Sequence, residues 1–378
     1  MEQINIYSGE RVISRIFVEN GVEGLEVCLR HYRHVFVVMD SNVAMNCQAA
    51  YEMSQMLNRR GVPGMLIEAS EESKCMETVM DICGWLLENG ADRDALVLAV
   101  GGGITTDMVG FAASIYKRGV RFAYVPTTLL SQVDAAIGGK TGVNFGGYKN
   151  MLGIIRQPEF TYICPQVLES LPMTDFLSGA SEMLKTFIIE DNGNYQKAVD
   201  FLSGLAEDFA SEEGGGTFSY MMEKWPETLS AKVSELTPLI AAAAKVKAGV
   251  VSRDQFEKGE RRKLNLGHTF GHAMESLAHK YHNDMDHGQA VALGMVYAAR
   301  LAERVGLAEE GFAAALEKDL ERCLLLVINP YDLEAMAEAM HKDKKAEGGK
   351  IHFILPRAVG DVVVHDMTVE EAVALLNE

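Results

Sequence analysis

The sequence has few of the features that mark secreted, membrane-bound or nucleic-acid-binding chains. Its six cysteines (Cys28, Cys47, Cys75, Cys83, Cys164 and Cys323) are scattered, and no Cys-x-x-Cys pair occurs. That usage excludes a disulfide framework and reads as reduced thiols in a cytosol. Long apolar runs are missing: Ala95–Val100 is far too short to cross a membrane. Met1-Glu2-Gln3-Ile4-Asn5 has neither the basic region nor the apolar core of a signal peptide. Positive charge is also scarce. With 35 Lys and Arg against 53 Asp and Glu, the formal net charge is −18. A nucleic-acid partner is therefore not expected, because phosphate backbones require a basic surface. Repeats and low-complexity tracts are absent. These absences predict a cytoplasmic chain with no membrane and no nucleic-acid partner. A small anionic substrate stays open, since a few cations in a cleft can capture a phosphate at any global charge.

What is present is a change of pattern along 378 residues, a length that suggests two domains. Short apolar runs at Val35–Met39, Met65–Ile67, Ala95–Val100, Phe122–Val125 and Thr161–Ile163 read as strands, with helical periodicity over 73–90 ending at Asn89-Gly90. Strand–helix alternation predicts a parallel sheet wrapped by helices. From about Leu171, alanine-rich amphipathic segments dominate, at 228–252, 266–281, 288–305 and 309–324, with strand-like runs at Ile351–Leu355 and Val362–Val364. Glu207–Thr217, containing Gly214-Gly215-Gly216, reads as a loop. The expected architecture is an α/β Rossmann-like parallel-sheet domain over 1–170 and a mostly α-helical domain over 171–378.

Leu264-Asn265-Leu266-Gly267-His268-Thr269-Phe270-Gly271-His272 carries two histidines four apart, on one helical face, and His287 opens the next apolar helix. Imidazoles so placed suit a divalent metal or a proton-transfer site between helices. Glu182 and Lys185 share a helix face in apolar surroundings, which fits either a surface ion pair or a buried functional one. Gly101-Gly102-Gly103, between a strand and a helix with Asp107 beyond, is either a phosphate cradle or a tight turn. Asp40-Ser41-Asn42 reads most simply as a helix N-cap, and Glu71-Glu72-Ser73-Lys74 as a charged helix start, although both occupy the rim where parallel sheets bind ligands. Gly138–Asn144, followed by Lys149 and Asn150, is glycine-rich with two lysines, but Asp134 stands where a Walker loop needs its first glycine. Lys247, Glu257, Arg261 and Asn265 are a solvated charged stretch or, beside His268, the lining of an anion pocket.

Taken in order, these motifs together with Lys117-Arg118-Gly119 and Pro126-Thr127-Thr128-Leu129-Leu130 resemble 3-dehydroquinate synthase over nearly the whole chain. The resemblance implies a dehydroquinate synthase-like fold, NAD and one divalent metal, zinc or cobalt. It implies metal ligands at Glu182, His268 and His287. NAD contacts would fall on Asp40, Asn42, Glu71, Lys74, Gly102, Gly103, Asp107, Thr127, Thr128, Lys140 and Lys149, with Leu168 and Ser170 in the 167–170 turn. Substrate contacts would fall on Asp134, Lys140, Asn150, Lys185, Lys247, Glu257, Arg261, Asn265 and His272, with Lys344 or Lys345, and Arg118 would reach across a homodimer interface. The implied partner is a small anionic sugar phosphate, 3-deoxy-D-arabino-heptulosonate 7-phosphate. The implied reaction is NAD-mediated oxidation, phosphate elimination, re-reduction and intramolecular aldol closure to 3-dehydroquinate, in the shikimate route. Ser170, Ser181, Gln289 and Gly153-Ile154-Ile155 depart from the family's commonest residues without removing a ligand. Rival readings are another sugar-phosphate cyclase, a metal-dependent polyol dehydrogenase of the same fold, and a non-catalytic binding protein.

Overall fold

The computed structural model of the chain describes residues 1–210, 217–343 and 350–377. Its first part contains nine strands: Glu2–Ser8 (β1), Arg11–Val18 (β2), Val35–Asp40 (β3), Gly64–Ile67 (β4), Leu96–Gly101 (β5), Arg121–Pro126 (β6), Lys140–Phe145 (β7), Tyr148–Ile155 (β8) and Phe160–Ile163 (β9). Seven form one sheet in the order β1-β2-β9-β6-β5-β3-β4. β1 runs antiparallel to β2, and the other neighbours are parallel. β3 and β5 are buried at every position, as strands covered on both faces must be. Alternation then divides the core. Val35, Val37, Leu96 and Leu98 enter one apolar layer with Ala50 and Met53, and Phe36, Val38, Val97 and Ala99 enter the other with Ile82 and Val109.

The chain passes from β3 outward to β4, returns to β5, and continues the other way to β6. That reversal makes a crevice outside the carboxyl ends of β3 and β5, where open parallel sheets bind ligands. The β1–β2 pair precedes the first strand that the sequence patterns indicated.

Two compact units are present, Met1–Phe176 with Met222–Phe256, and Leu177–Met221 with Glu257–Glu378. The sequence reading kept all of 171–378 together. The long helix Phe218–Arg253 instead has much of its packing in the first unit. Trp225 donates its indole N–H to the Leu171 carbonyl at 2.8 Å and meets the Phe176 ring at 4.8 Å, while the Tyr7 N–H donates to Ser252 Oγ at 2.9 Å. Helical periodicity shows that a segment has a buried face but not which layer covers it.

The second unit is built from helices Tyr195–Ala210, His268–Tyr281, His287–Arg304, Phe312–Arg322 and Leu333–Asp343, most of the helix Met173–Ile189, the hairpin Ile351–Ala358 (β10) with Asp361–Met367 (β11), and the closing helix Val369–Asn377. The loop expected from Glu207 is helical in its first residues, Glu207–Ala210. Buried Leu202, Leu205 and Phe209 make an apolar stripe that carries the helix to Ala210. Residues 211–216, with the three glycines, lie outside the described residues, as do Lys344 and Lys345. No described helix is long and apolar enough to cross a membrane.

Candidate active site

In the first unit, residues singled out from the sequence gather at the carboxyl ends of the strands. Asp40 closes β3, and its carboxylate accepts from the Asn42 N–H at 2.9 Å, so it caps the following helix as the simpler reading had it. Burial holds its carboxyl above the usual value. β5 runs into Gly101, and the helix Gly103–Ile115 starts at the N-cap Gly102. A Cβ on Gly102 would stand 3.0 Å from the Thr128 methyl, so the turn needs glycine to keep this approach open. Thr127, just past β6, is buried, and its hydroxyl oxygen has no hydrogen-bond partner among the described residues. Leu168 and Ser170 belong to the short turn Pro165–Ser170 after β9.

Lys74 joins this rim to the hairpin. Its Nζ donates to Asp107 at 2.7 Å and to Asn150 at 2.7 Å. Burial pushes the Asp107 carboxyl up to about 6, and Lys74 beside it limits the rise. The glycine-rich stretch after Gly138 is the antiparallel β7–β8 hairpin, with Lys140, Lys149 and Asn150 exposed on it. Asn144 binds it back to the rim, donating to the Glu71 carboxylate at 2.9 Å. Asp134 and Lys247 are in direct contact through carboxylate and ammonium, with Lys247 buried. The helix Phe218–Arg253 thus delivers a lysine to the turn after β6. Arg118 does not join these groups. It is exposed at the opposite end of the sheet, before β6, in left-handed backbone at φ 70°.

The second unit brings together Glu182, His268 and His287. One ligand atom from each lies within 4.8 Å of the other two. Three helices converge to achieve this. Gly288 allows one approach, because a Cβ there would sit 2.2 Å from Ser178 Cα, and its N–H donates to Ser178 Oγ at 3.1 Å. Gly294 allows the other, since its Cβ would meet the Gly267 carbonyl oxygen at 2.0 Å. A capping box fixes the start of the His287 helix: the Gln289 N–H donates to Asp286, and the Asp286 N–H donates to the Gln289 side chain. Gln289, a departure from the family's usual residue, therefore has a structural task, one the sequence reading missed.

The outer ring nitrogens of both histidines are engaged. His268 Nδ1 lies 3.1 Å from the Leu266 carbonyl oxygen, which leaves Nε2 facing Glu182 at 3.7 Å. His287 Nδ1 lies 3.4 Å from Glu275, and its Nε2 is 3.3 Å from Glu182. Outer contacts of this kind orient metal-binding imidazoles. Glu275 was missed in the sequence, although it follows His268 and His272 at helical spacing on the same face. Burial and nearby Lys185 hold His268 down at about 3. His287 behaves oppositely. Burial disfavours its charge, but the Glu182 and Glu275 carboxylates outweigh it and hold the ring up at about 10.

Glu182 is 1% exposed, and its Oε1 faces the Nε2 atoms of His268 and His287 at 3.7 and 3.3 Å. Lys185 contacts it as a buried ion pair, which settles the two readings of that spacing in favour of burial. Burial raises the Glu182 carboxyl, yet Lys185 and the two imidazoles hold it well below its ordinary value. Two imidazoles and an ionised carboxylate, with one ligand atom of each within 4.8 Å of the others, fit a divalent ion with positions left for another ligand. His272 lies one turn beyond His268, their rings 5.3 Å apart. Arg261 is buried in the turn Glu260–Asn265, and Asn265 Nδ2 donates to Glu257 at 3.1 Å.

The family models for the 3-dehydroquinate synthase N-terminal and C-terminal domains match residues 64–178 and 179–346. A 3-dehydroquinate synthase from Alkaliphilus metalliredigens is 36% identical over 343 residues, 90% of this chain and 89% of the relative. One from Rhizobium etli is 34% identical over 100% of this chain and 96% of its own. Among solved structures, 2-epi-5-epi-valiolone synthase from Streptomyces hygroscopicus, with NAD+ and Zn2+ bound, is 28% identical at a TM-score of 0.78, covering 97% of each chain. The iron-containing alcohol dehydrogenase from Thermotoga maritima shares the fold alone, at 13% identity and a TM-score of 0.60 over 100% of this chain and 98% of its own. The chain belongs to the 3-dehydroquinate synthase family.

Proposed function

We propose that this chain converts 3-deoxy-D-arabino-heptulosonate 7-phosphate to 3-dehydroquinate and phosphate, with NAD and one zinc or cobalt ion, as a cytoplasmic homodimer. The observation that carries the reading is the buried Glu182 carboxylate facing His268 and His287, with the cations Lys185 and Arg261 buried in the same unit. A catalytic divalent ion asks for that donor set, and an anionic substrate asks for those cations.

Glu182, His268 and His287 would hold the metal. The Gly102 and Gly103 amides, at a helix N-terminus, would take the NAD pyrophosphate, and the orphaned Thr127 hydroxyl is a ready partner for a cofactor oxygen. Asp40, Asn42, Glu71, Lys74, Asp107, Thr128 and Lys149, with Leu168 and Ser170, would line the rest of the cofactor. When bound, the metal acidifies a substrate hydroxyl and NAD takes up and returns a hydride, so NAD is not consumed. The chain's own side chains bind and orient. Lys140, Asn150 and Arg118 of the partner subunit would hold the phosphate. Lys247, Arg261 and Asn265 would hold the carboxylate, with Asp134 and Glu257 orienting Lys247 and Asn265. Lys185 adds positive charge beside Glu182, and His272 would pass a proton from a ring nitrogen to the departing phosphate. Lys344 or Lys345 would complete the set.

Incubation with the heptulosonate phosphate, NAD and zinc tests this. Stoichiometric phosphate release, no net NADH and an NMR spectrum of 3-dehydroquinate are expected. Accumulating NADH would instead identify a polyol dehydrogenase, and neither signal a binding protein. Sedimentation at micromolar concentration tests the dimer.

A further inference from the structure

The turn Glu260–Asn265 carries Arg261 and Asn265, and Arg262 between them is tied to the β10–β11 hairpin. Its Nη1 lies 3.2 Å from His352 Nε2 on β10. The other ring nitrogen of His352, Nδ1, lies 2.5 Å from Asp366 Oδ1 on β11. His352 and Asp366 are direct partners in the antiparallel register of that hairpin. A guanidinium has donors and no acceptor, so His352 Nε2 must accept from Arg262. The ring is then neutral with its proton on Nδ1, and that proton is donated to Asp366. The Asp366 carboxyl is accordingly held below its ordinary value, first of all by this bond. At three residues per turn, Arg262 and Asn265 fall on one side of the 3₁₀ segment, one directly above the other. A tether on Arg262 therefore braces the side that presents Asn265.

We propose that His352 is a positioning residue: as the Nδ1–H tautomer it ties Arg262 to Asp366 and fixes the turn that presents Arg261 and Asn265 to the substrate carboxylate. The inference rests on the carboxylate-reading role given to that turn above. His352 touches neither substrate nor metal in this arrangement, and its side chain is 41% exposed, so a replacement does not disturb the core. A short surface tie of this type serves precision more than stability. Charge-assisted hydrogen bonds orient groups strongly, whereas exposed ion pairs add little to folding.

The test compares His352→Leu, His352→Gln and Arg261→Ala in the metal- and NAD-loaded enzyme. His352→Leu should raise the KM for the heptulosonate phosphate by about tenfold, the order expected for losing a charge-assisted hydrogen bond. Its kcat should stay within about twofold, and its NAD affinity and metal content should not change. A glutamine amide can accept from Arg262 and donate to Asp366, so His352→Gln should restore KM to within about twofold of the parent. Ring ¹⁵N shifts should report the proton of His352 on Nδ1. An unchanged KM in His352→Leu, a His352→Gln no better than the leucine variant, or a proton on Nε2 would each overturn the proposal. Arg261→Ala separates the two failures. If it too leaves KM unchanged, the carboxylate-reading turn is wrong. If it raises KM while His352→Leu does not, only the role of His352 falls.

Discussion

Lys185 and Glu182 stand three residues apart on one helix, their ammonium and carboxylate in contact with 1% of each side chain exposed. Removing one partner leaves the other charged and dry, at a cost of about 3–5 kcal/mol. Glu182→Gln should therefore destabilise the metal-free protein by that order in urea unfolding. The double variant with Lys185→Met should recover most of the loss, since it buries no lone charge. A Glu182→Gln protein as stable as the parent in chelator would show that the pair is not buried as described.

Metal removal should abolish activity, and zinc or cobalt should restore it. A sharper expectation concerns Glu275, which lies against His287 Nδ1 at 3.4 Å. Glu275→Gln should weaken metal affinity about 10–100-fold, as loss of an orienting carboxylate does. Competition with a chromophoric chelator measures this without turnover. Parent-like affinity in Glu275→Gln, or a full complement of metal in His268→Ala, would remove the metal from this triad.

Asp107 provides the pH dependence. Burial raises its carboxyl to about 6, above the ordinary 3.8, with Lys74 opposing. A raised acid keeps its proton longer in the folded chain, so the carboxylate that would accept from NAD exists only above about pH 6. Below that point, NAD and the proton compete. The NAD dissociation constant should rise as pH falls from 7 to 5, approaching about tenfold per unit. Asp107→Asn should flatten the curve. Calorimetric titrations that are flat over this range in the parent would exclude Asp107 from the cofactor site.

Gly102→Val tests the cradle by shape. The new Cβ would stand 3.0 Å from the Thr128 methyl, and the branched side chain would crowd the turn proposed to hold the pyrophosphate. NAD binding should be lost, while circular dichroism and metal content stay as in the parent. Undiminished NAD affinity in the folded variant would place the cofactor elsewhere.

Much of this arrangement was legible in the sequence, for identifiable reasons. β3 and β5 read directly because both faces are covered, which makes them unbroken apolar runs. His268 and His287 were legible because imidazoles on apolar helices serve packing poorly, whereas Glu182 was placed with them by the family resemblance. Pairings between distant segments were not. Lys74 with Asn150 and Asp134 with Lys247 are separated by 76 and 113 residues, and nothing local in either sequence window specifies the other. The hairpin at Lys140–Ile155 read only as a glycine-rich stretch because its glycines mask the strand pattern. They are there for close approach: a Cβ on Gly142 would meet the Leu152 carbonyl oxygen at 2.4 Å across the hairpin. Arg118, singled out by the resemblance, stands exposed and away from the rim within its own chain.

Arg261 decides between carboxylate recognition and simple polyol oxidation. It is 2% exposed, in a turn whose Asn265 is held by Glu257. The paired N–H donors of a guanidinium fork match a carboxylate, a group that a neutral polyol lacks. Truncating one charged contact in a desolvated site costs about 2–5 kcal/mol, so Arg261→Ala should lower kcat/KM for the heptulosonate phosphate by about 30-fold or more. NAD affinity and bound metal should remain those of the parent, because no cofactor or metal contact is assigned to Arg261. Steady-state kinetics with phosphate detection, alongside metal analysis, provides both readouts. An Arg261→Ala enzyme that turned over the heptulosonate phosphate as efficiently as the parent would sink the carboxylate-reading role. In that case the buried guanidinium would have to be explained by folding alone.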